Sequence, residues 1–153
     1  MDLKLLVISD THRYISNAVS LIEEHNPDII IHLGDVADDC DDLRYTYPMK
    51  RIMCVLGNND FYNKNYPDEI VCEIGGKRFF MCHGHKYNVK YGLFALKKKA
   101  KDLKADVVLY GHTHQCYCKL ENDILVMNPG SRSTYGIIEI DSNGNISSAV
   151  GEV

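Results

Sequence analysis

Short apolar runs, each followed at once by a cluster of polar residues, recur along this 153-residue chain and constrain its fold more than any other feature. Each run has the length and composition of a β-strand and ends at turn residues. The junctions are residues 5–8 before 9–12, 29–31 before 34–35, 52–56 before 57–60, 79–82 before 83–85, 107–110 before 111–114, and 124–127 before 128–131. Near-continuous apolar strands of this kind predict sheets that are covered on both faces.

Helical patterns separate some of these predicted strands. Ala18, Leu21 and Ile22 recur at helical spacing, and Pro27 ends that pattern. A second apolar stripe alternates with lysines and consists of Leu93, Leu96, Ala100 and Leu103. We interpret those lysines as the solvated face of a helix rather than as a phosphate-binding patch.

The end of the chain has a different pattern. Residues 135–141 are predicted to form a strand, Asn143 and Gly144 a hairpin turn, and residues 146–150 a weaker returning strand. Together the patterns predict an α/β layered domain with some antiparallel pairing over residues 1–153.

Composition narrows the classes of function. A chain of this length suits one domain, and a net charge of −4 argues against stable nucleic-acid binding. We see no secretory signal and no apolar run long enough to span a membrane, so we expect a cytoplasmic protein with reduced cysteines. Cys116 and Cys118 are interpreted as free thiols, because structural zinc sites usually space cysteines by two or more residues. A homo-oligomer is left open.

Almost every residue that could bind a metal stands directly after one of the apolar runs. These residues are Asp10, His12, Asp35, Asn58, His83, His85, His112 and His114. Sites in open α/β sheets form outside the carboxyl ends of the strands, and residues i and i+2 of extended chain point the same way, so we expect these side chains to converge. Of the two remaining histidines, His32 is expected in the core or behind the ligands, and His25 on the surface at a helix end.

The donor chemistry of this set predicts a metal site. Imidazole, carboxylate and amide donors together suit Mn²⁺, Fe²⁺, Zn²⁺ or Ni²⁺ better than Ca²⁺ alone. So many ligands exceed what one catalytic ion takes, and two ions about 3.5–4 Å apart are the natural solution. Asp35 is the candidate for a carboxylate that bridges them. Each motif alone is a weak signal, whereas their ordered combination at the strand ends is a strong one.

These motifs resemble those of the calcineurin-like metallophosphoesterases, and most closely those of their small single-domain phosphodiesterase branch. The motifs are Asp10-Thr11-His12, Gly34-Asp35-Val36, Gly57-Asn58-Asn59-Asp60, His83-Gly84-His85, Gly111-His112-Thr113-His114 and Asn128-Pro129-Gly130-Ser131. The resemblance implies a four-layer αββα sandwich in which two mixed β-sheets pack face to face between flanking helices. It also implies that Asp10, His12 and His114 bind one metal, that Asn58, His83 and His112 bind the other, and that Asp35 bridges them.

The resemblance further implies two divalent metal ions per chain, with Mn²⁺ favoured and Ni²⁺, Fe²⁺, Zn²⁺ or Mg²⁺ as alternatives. A hydroxide that bridges the ions would attack the phosphorus of a small phosphodiester in line. Three other functions stay open: a phosphomonoesterase, a single-metal hydrolase of amides or esters, and a non-catalytic interaction scaffold on the same fold. The scaffold stays open because a fold does not fix an activity.

Two residues depart from the family pattern. Asn59 stands where many members have a histidine proposed as the general acid, and an amide cannot donate a proton by ionising. We therefore predict a preference for leaving groups of low pKa. The proton for the leaving group would come from His85, from a metal-bound water or from no group at all. Arg13 replaces a frequent glycine, and it either contacts a substrate phosphate or lies in a solvated loop. Tyr87 and Ser131 are weaker candidates for lining the pocket.

Overall fold

Each of the predicted apolar runs forms a strand in the computed structural model, which describes residues 2–13 and 15–153. The strands are β1 (Leu3–Ile8), β2 (Ile29–His32), β3 (Arg51–Cys54), β4 (Glu69–Ile74), β5 (Lys77–Cys82), β6 (Val107–Leu109), β7 (Tyr117–Glu121), β8 (Ile124–Asn128), β9 (Thr134–Ile140) and β10 (Ile146–Glu152). The helices are α1 (Ile15–His25), α2 (Asp38–Thr46) and α3 (Phe94–Asp102), and two short 3₁₀ helices, His85–Tyr87 and Val89–Tyr91, follow β5. None of the helices in residues 2–13 and 15–153 combines the length and the apolar character that a membrane span needs.

The strands form two mixed sheets, as the family resemblance implies. The first sheet has the order β10-β9-β1-β2-β3, in which β1, β2 and β3 are parallel. The second has the order β4-β5-β6-β8-β7, in which β5, β6 and β8 are parallel. The predicted hairpin between β9 and β10 is confirmed, and Gly144 takes a φ of +82° in its turn.

The main core lies between the two sheets. Leu5 and Ile31 of the first sheet and Phe79 and Leu109 of the second are all buried there. The inner strands are covered on both faces, because helices pack against the outer face of each sheet. This arrangement confirms two mixed sheets packed face to face between flanking helices.

The helices bury the apolar faces that their spacing predicts. Leu21 and Ile22 of α1 and Leu43 of α2 pack on the first sheet. Leu96 and Ala100 of α3 pack on the second sheet, and most of the α3 lysines are exposed. The interpretation of the lysine run as a solvated helix face is therefore confirmed.

Two edge strands and one helix were not predicted from the sequence. β4 and β7 lie at the edges of the second sheet, and of their residues only Ile74 is buried. They lack the continuous apolar run that identifies an inner strand. α2 carries three aspartates in its first turn and buries only Asp39, Cys40 and Leu43, so its apolar pattern is too sparse to predict a helix.

Candidate metal centre

The candidate ligands lie where the carboxyl ends of parallel strands from both sheets meet. Asp10 follows β1 and Asp35 follows β2 in the first sheet. His83 follows β5, and His112 and His114 follow β6, in the second. Face-to-face packing brings these strand ends to one edge of the sandwich, which is where α/β folds form their sites.

Asp10 lies at the centre of this group. Its Oδ1 is 3.1 Å from Nε2 of His114, 3.9 Å from Nε2 of His83 and 4.0 Å from Nε2 of His12. The Nε2 of His83 is also 3.5 Å from Oδ2 of Asp35. Asp10 therefore belongs to two groups whose donor atoms all lie within 4.8 Å of one another, one with His12 and His114 and one with Asp35 and His83.

His83, His85 and His112 form a cluster of three imidazoles. The ring centroid of His83 is 5.1 Å from that of His112 and 5.5 Å from that of His85. Burial lowers the pKa of both His85 and His112, and a positive charge on His83 would lower it further. A lowered pKa favours the neutral imidazole, which is the form that binds metals.

The hydrogen bonds of the candidate histidines indicate whether a metal would fit among them. Nδ1 of His83 lies 2.7 Å from the carbonyl oxygen of Leu33, which can only accept, so the proton of the neutral ring is on Nδ1. Its Nε2 is buried and has no hydrogen-bond partner among the residues that the structure describes, and the same holds for Nε2 of His12 and Nδ1 of His85. A cation among these lone pairs would satisfy them and offset the charge of the carboxylates, so the donor set fits divalent metals.

Backbone strain is concentrated at the same residues. A positive φ is rare for residues other than glycine and costs about 1–3 kcal/mol. Five of the seven predicted ligands take one: Asp10 (55°), His12 (47°), Asp35 (49°), His112 (71°) and His114 (60°). Strain of this kind is typical of functional sites, where the surrounding structure holds it in place.

Neighbouring side chains hold the two carboxylates in position. Oγ of Ser9 donates to Oδ2 of Asp10 at 2.6 Å. Asn59 donates twice to Asp35, from its backbone nitrogen to Oδ1 at 3.0 Å and from Nδ2 to Oδ2 at 2.8 Å. Asn59 thus lies against a candidate ligand, where its amide orients the carboxylate.

Asp60 was not singled out from the sequence, although it organises one half of the site. It is fully buried and accepts hydrogen bonds from the backbone nitrogens of Asp35 (2.9 Å), Ala37 (2.8 Å) and Gly57 (2.8 Å). These bonds join the loop after β2 to the loop after β3. In the sequence, the only signal for this role of Asp60 is its position as the fourth residue of the Gly57–Asn58–Asn59–Asp60 motif.

Gly57 permits the close approach of these two loops. A Cβ atom at this position would lie 2.0 Å from Oδ1 of Asp35, a distance that real structures do not show. Gly34 is equally constrained, because it takes a φ of +102° and lies against the Gly57 backbone. Contacts at the site therefore require glycine at both positions.

Asn128 has the corresponding role on the histidine side. Its Nδ2 donates to the carbonyl oxygen of Gly111 at 3.2 Å and to Oγ1 of Thr113 at 2.9 Å, and its Oδ1 accepts from the Gly130 nitrogen at 2.8 Å. These contacts bracket His112 along the chain. They fix the backbone of the loop that carries His112 and His114, and Nε2 of His114 lies 3.1 Å from Oδ1 of Asp10.

Two predicted site residues are placed differently from the cluster. Asn58 is exposed, and within residues 2–13 and 15–153 no hydrogen bond joins its side chain to the other candidates. The guanidinium of Arg13 is 3.0 Å from Oδ1 of Asp39 and 3.2 Å from Oδ2 of Asp42, both on α2. In this structure Arg13 pairs with α2 instead of reaching into the site.

The two weaker pocket candidates bond to residues that are not candidate ligands. The hydroxyl of Tyr87 contacts the carboxylate of Glu69, and the Ser131 nitrogen donates to Oγ1 of Thr134 at 2.8 Å. His32 is fully buried behind the ligands, as expected. His25 ends α1 and packs against the ring of Tyr135 at 5.3 Å, so it is less exposed than predicted.

Comparison with known proteins agrees with this fold. The profile of the calcineurin-like phosphoesterase superfamily domain matches residues 3–142. A phosphodiesterase of Methanocaldococcus jannaschii is 30% identical over 149 residues, which cover 87% of this chain and 86% of that protein. The structure of a predicted phosphoesterase from Streptococcus pneumoniae superposes with a TM-score of 0.78 at 26% identity, covering 100% of this chain and 99% of the other.

A third solved structure shares the fold alone. Vacuolar protein sorting 29 of Cryptosporidium parvum superposes with a TM-score of 0.79 at 18% identity, covering 99% of this chain and 98% of that one. The fold and the ligand cluster define an αββα protein with a candidate metal centre. The chain belongs to the calcineurin-like phosphoesterase superfamily, which uses divalent metals to act on phosphoester bonds.

Proposed function

We propose that residues 1–153 form one phosphodiesterase domain that uses two divalent metal ions. The observation that carries the proposal is the buried, unpartnered Nε2 of His83, which faces the carboxylates of Asp10 and Asp35. A divalent cation in this space would bind the lone pair and balance the charge of the two carboxylates. The diester preference is supported by the similarity to the archaeal phosphodiesterase.

Seven residues would hold the ions. By resemblance, Asp10, His12 and His114 take the first ion, Asn58, His83 and His112 the second, and Asp35 bridges. The geometry supports Asp10 equally well as the residue that bridges the two ions, because Asp10 is common to both groups of donor atoms. Two bound ions would generate a nucleophile from water and neutralise charge on the phosphate. Mn²⁺ is the preferred ion, with Ni²⁺, Fe²⁺, Zn²⁺ and Mg²⁺ as alternatives.

The residues of the chain orient the reactants and manage the proton. Asn59 holds both oxygens of Asp35 and so keeps one ligand in place. His85 borders the cluster, and its lowered pKa leaves it neutral near pH 7. Neutral His85 would be a weak acid towards a leaving group, and Asn59 cannot ionise at all. Catalysis therefore depends on leaving groups that depart without a proton.

A phosphoester panel tests the proposal. Aryl phosphodiesters and monoesters of graded leaving-group acidity are incubated with the metal-free chain and added Mn²⁺, Ni²⁺, Zn²⁺ or Mg²⁺. We expect metal-dependent diester hydrolysis whose rate rises steeply as the leaving-group pKa falls. A hydrolysis rate that does not change with leaving-group pKa would contradict the inference that the site has no strong general acid.

Metal content decides the roles of the two carboxylates. We expect about two ions per chain in the unmodified protein. If Asp35 bridges, Asp35→Ala loses both ions and all activity, whereas Asp10→Ala keeps one ion. The reverse pattern would make Asp10 the bridge, and a single ion in the unmodified chain would favour a one-metal hydrolase.

A second candidate function is a protein-interaction scaffold. It is favoured by the similarity of fold to vacuolar protein sorting 29. In that case the chain would bind metal without turnover. No hydrolysis of any activated ester in the panel, in protein that holds its two ions, would support the scaffold over the enzyme.

A further inference from the structure

A groove on the outer face of the second sheet lies apart from the metal centre, and we call it the α3 groove. It has a volume of about 440 Å³. One side of α3 forms one wall, the turn between β7 and β8 forms the other, and the start of β8 forms the floor. Its volume is in the range of pockets that bind small molecules, about 300–1,000 Å³.

The groove forms because α3 does not cover the whole outer face of the sheet. Leu96 and Ala100 pack α3 on β6, and β8 and β7 follow β6 towards the sheet edge. Alternate residues of a strand face opposite sides, so Leu125 of β8 faces the main core, whereas Ile124 and Val126 face α3. These two apolar side chains form the floor, at the flank of the helix.

The helix wall is one stripe of α3. Phe94, Lys97 and Lys101 are three and four residues apart, so they lie along the same side of the helix, and Lys98 adjoins them. Phe94 is 82% exposed, although its side chain is large and apolar. The groove therefore offers an apolar surface that is bordered by ammonium groups.

An ion pair across the groove joins its two walls. Lys97 on the helix pairs with Glu121 at the end of β7, and Oε1 of Glu121 also accepts from the Tyr117 hydroxyl at 2.6 Å. Hydrogen bonds from Lys97 and Tyr117 lower the pKa of Glu121, so this carboxylate is ionised and neutralises Lys97. The acidic side chain of the lining is thus already paired.

Two ammonium groups at the rim stay available to a ligand. Lys98 is 3.4 Å from Asp102, but these side chains are 64% and 62% exposed, and such a pair contributes little. Lys101 has no ion-pair partner among residues 2–13 and 15–153. Because Asp102 offsets one of the two lysines, one net positive charge is left at the rim. It matches a single carboxylate better than a phosphate, which carries about −1.5 to −2 at pH 7.

We propose that the α3 groove binds a small amphipathic carboxylate, an apolar chain or ring that ends in one acid group. Its apolar body would lie on Ile124 and Val126 beside Phe94, where the removal of apolar surface from water supplies most of the binding. Its carboxylate would lie at Lys98 and Lys101. Exposed ion pairs are weak, so an anion without an apolar body would not bind well. The lysines alone are therefore no phosphate-binding patch, in agreement with the sequence interpretation.

The groove and the metal centre lie at opposite ends of β8. Ile124 begins this strand at the groove, and Asn128 ends it, where its amide donates to the carbonyl oxygen of Gly111. Binding in the groove therefore depends neither on a metal nor on phosphoester hydrolysis, and it can be measured on the metal-free chain.

An NMR titration of the isotope-labelled, metal-free chain with octanoate tests the proposal. We expect saturable shifts that are confined to the backbone amides of α3 and of residues 121–126. Acetate has the same acid group without the apolar chain, and octylamine has a similar chain with the opposite charge. Each of these two should bind at least about tenfold more weakly than octanoate.

Charge reversal at the rim tests the contact with the carboxylate. Lys98→Glu combined with Lys101→Glu should weaken octanoate binding at least about tenfold, because both positions would then repel the ligand. The matched control combines Lys99→Glu with Lys104→Glu, which changes the net charge equally at exposed lysines outside the lining. This control should bind octanoate within about twofold of the unmodified chain.

Substitution of Phe94 tests the contact with the apolar body. Phe94→Ala should weaken octanoate binding about three- to tenfold, because part of the apolar wall is removed. Tyr91→Ala, at another exposed aromatic residue that does not line the groove, should leave binding unchanged.

Sedimentation with phosphatidylserine vesicles tests whether the lysines of α3 bind an anionic membrane instead. We expect no sedimentation of the chain with the vesicles. The proposal is overturned if the octanoate shifts do not saturate, if octylamine binds as tightly as octanoate, or if the two double variants weaken octanoate binding equally. It is also overturned if the chain sediments with the vesicles and both double variants abolish this equally, because the lysines would then serve a lipid surface.

Discussion

The two sheets contribute to the metal centre in different ways. The first sheet supplies Asp10 and Asp35, whose carboxylates already have hydrogen-bond donors from the protein. The second supplies His83, whose Nε2 is buried without a partner. The carboxylate half is therefore built as the chain folds, whereas under the proposed function a cation would complete the imidazole half. Substitutions in the carboxylate half should therefore change the free energy of unfolding without metal. Substitutions in the imidazole half should change the additional stability that a bound metal provides.

The largest effect should come from Asp60, which supports the carboxylate half. Asp60→Ala leaves the buried nitrogens of Asp35, Ala37 and Gly57 without an acceptor. Each unsatisfied group costs about 1–3 kcal/mol, so we expect the metal-free chain to lose at least ~3 kcal/mol of unfolding free energy. Urea denaturation of the metal-free protein measures this loss.

Asp68→Ala is the matched control for that change. Asp68 is exposed and pairs with Lys86 at 2.8 Å, so its loss should cost under about 1 kcal/mol. Equal unfolding free energies for Asp60→Ala and Asp68→Ala would show that the loops do not depend on the Asp60 hydrogen bonds.

A smaller effect that appears only with metal is expected from the imidazole half. The His114 side chain is 51% exposed, so His114→Ala should change the metal-free stability by under about 0.5 kcal/mol. A hundredfold excess of Mn²⁺ over its Kd should stabilise the unmodified chain by about 2.7 kcal/mol. A tenfold weaker affinity in His114→Ala would remove about 1.4 kcal/mol of that gain.

Thermal unfolding with and without Mn²⁺ separates the two contributions. Gln115→Ala, at the exposed neighbouring position, should respond to Mn²⁺ like the unmodified chain. If His114→Ala is instead as destabilised without metal as with it, the imidazole half is held by protein contacts and the contrast between the sheets fails.

The sequence predicts the carboxylate and imidazole residues of the site but not the contacts that hold them. Ligands after apolar strands follow from local pattern, because buried parallel strands end at one edge of a sheet. The acceptor role of Asp60 could not be predicted, since two of its partners, Asp35 and Ala37, lie more than twenty residues earlier in the chain. Long-range hydrogen bonds of this kind leave no periodic signal.

The edge strands and α2 escaped prediction for a related reason. Their sequences bury few apolar residues, so their positions depend on the sheets they join. The interpretation of Arg13 was left open for the same reason, because its partners Asp39 and Asp42 belong to α2. A site residue whose partner lies on an unpredicted element cannot be assigned from sequence.

The smallest effect, from Arg13, decides between its two roles. The Arg13 side chain is 59% exposed, and an exposed ion pair contributes about 0.2–1 kcal/mol even though Asp39 is buried. We expect Arg13→Ala to lower the unfolding free energy by that amount and to leave KM for a diester within about fivefold, the equivalent of ~1 kcal/mol. Lys101→Ala, which removes one positive charge from the exposed face of α3, controls for net charge. A larger rise in KM for Arg13→Ala alone would mean that the guanidinium leaves α2 to bind the substrate phosphate, so the carboxylate half would contribute a substrate contact as well as metal ligands.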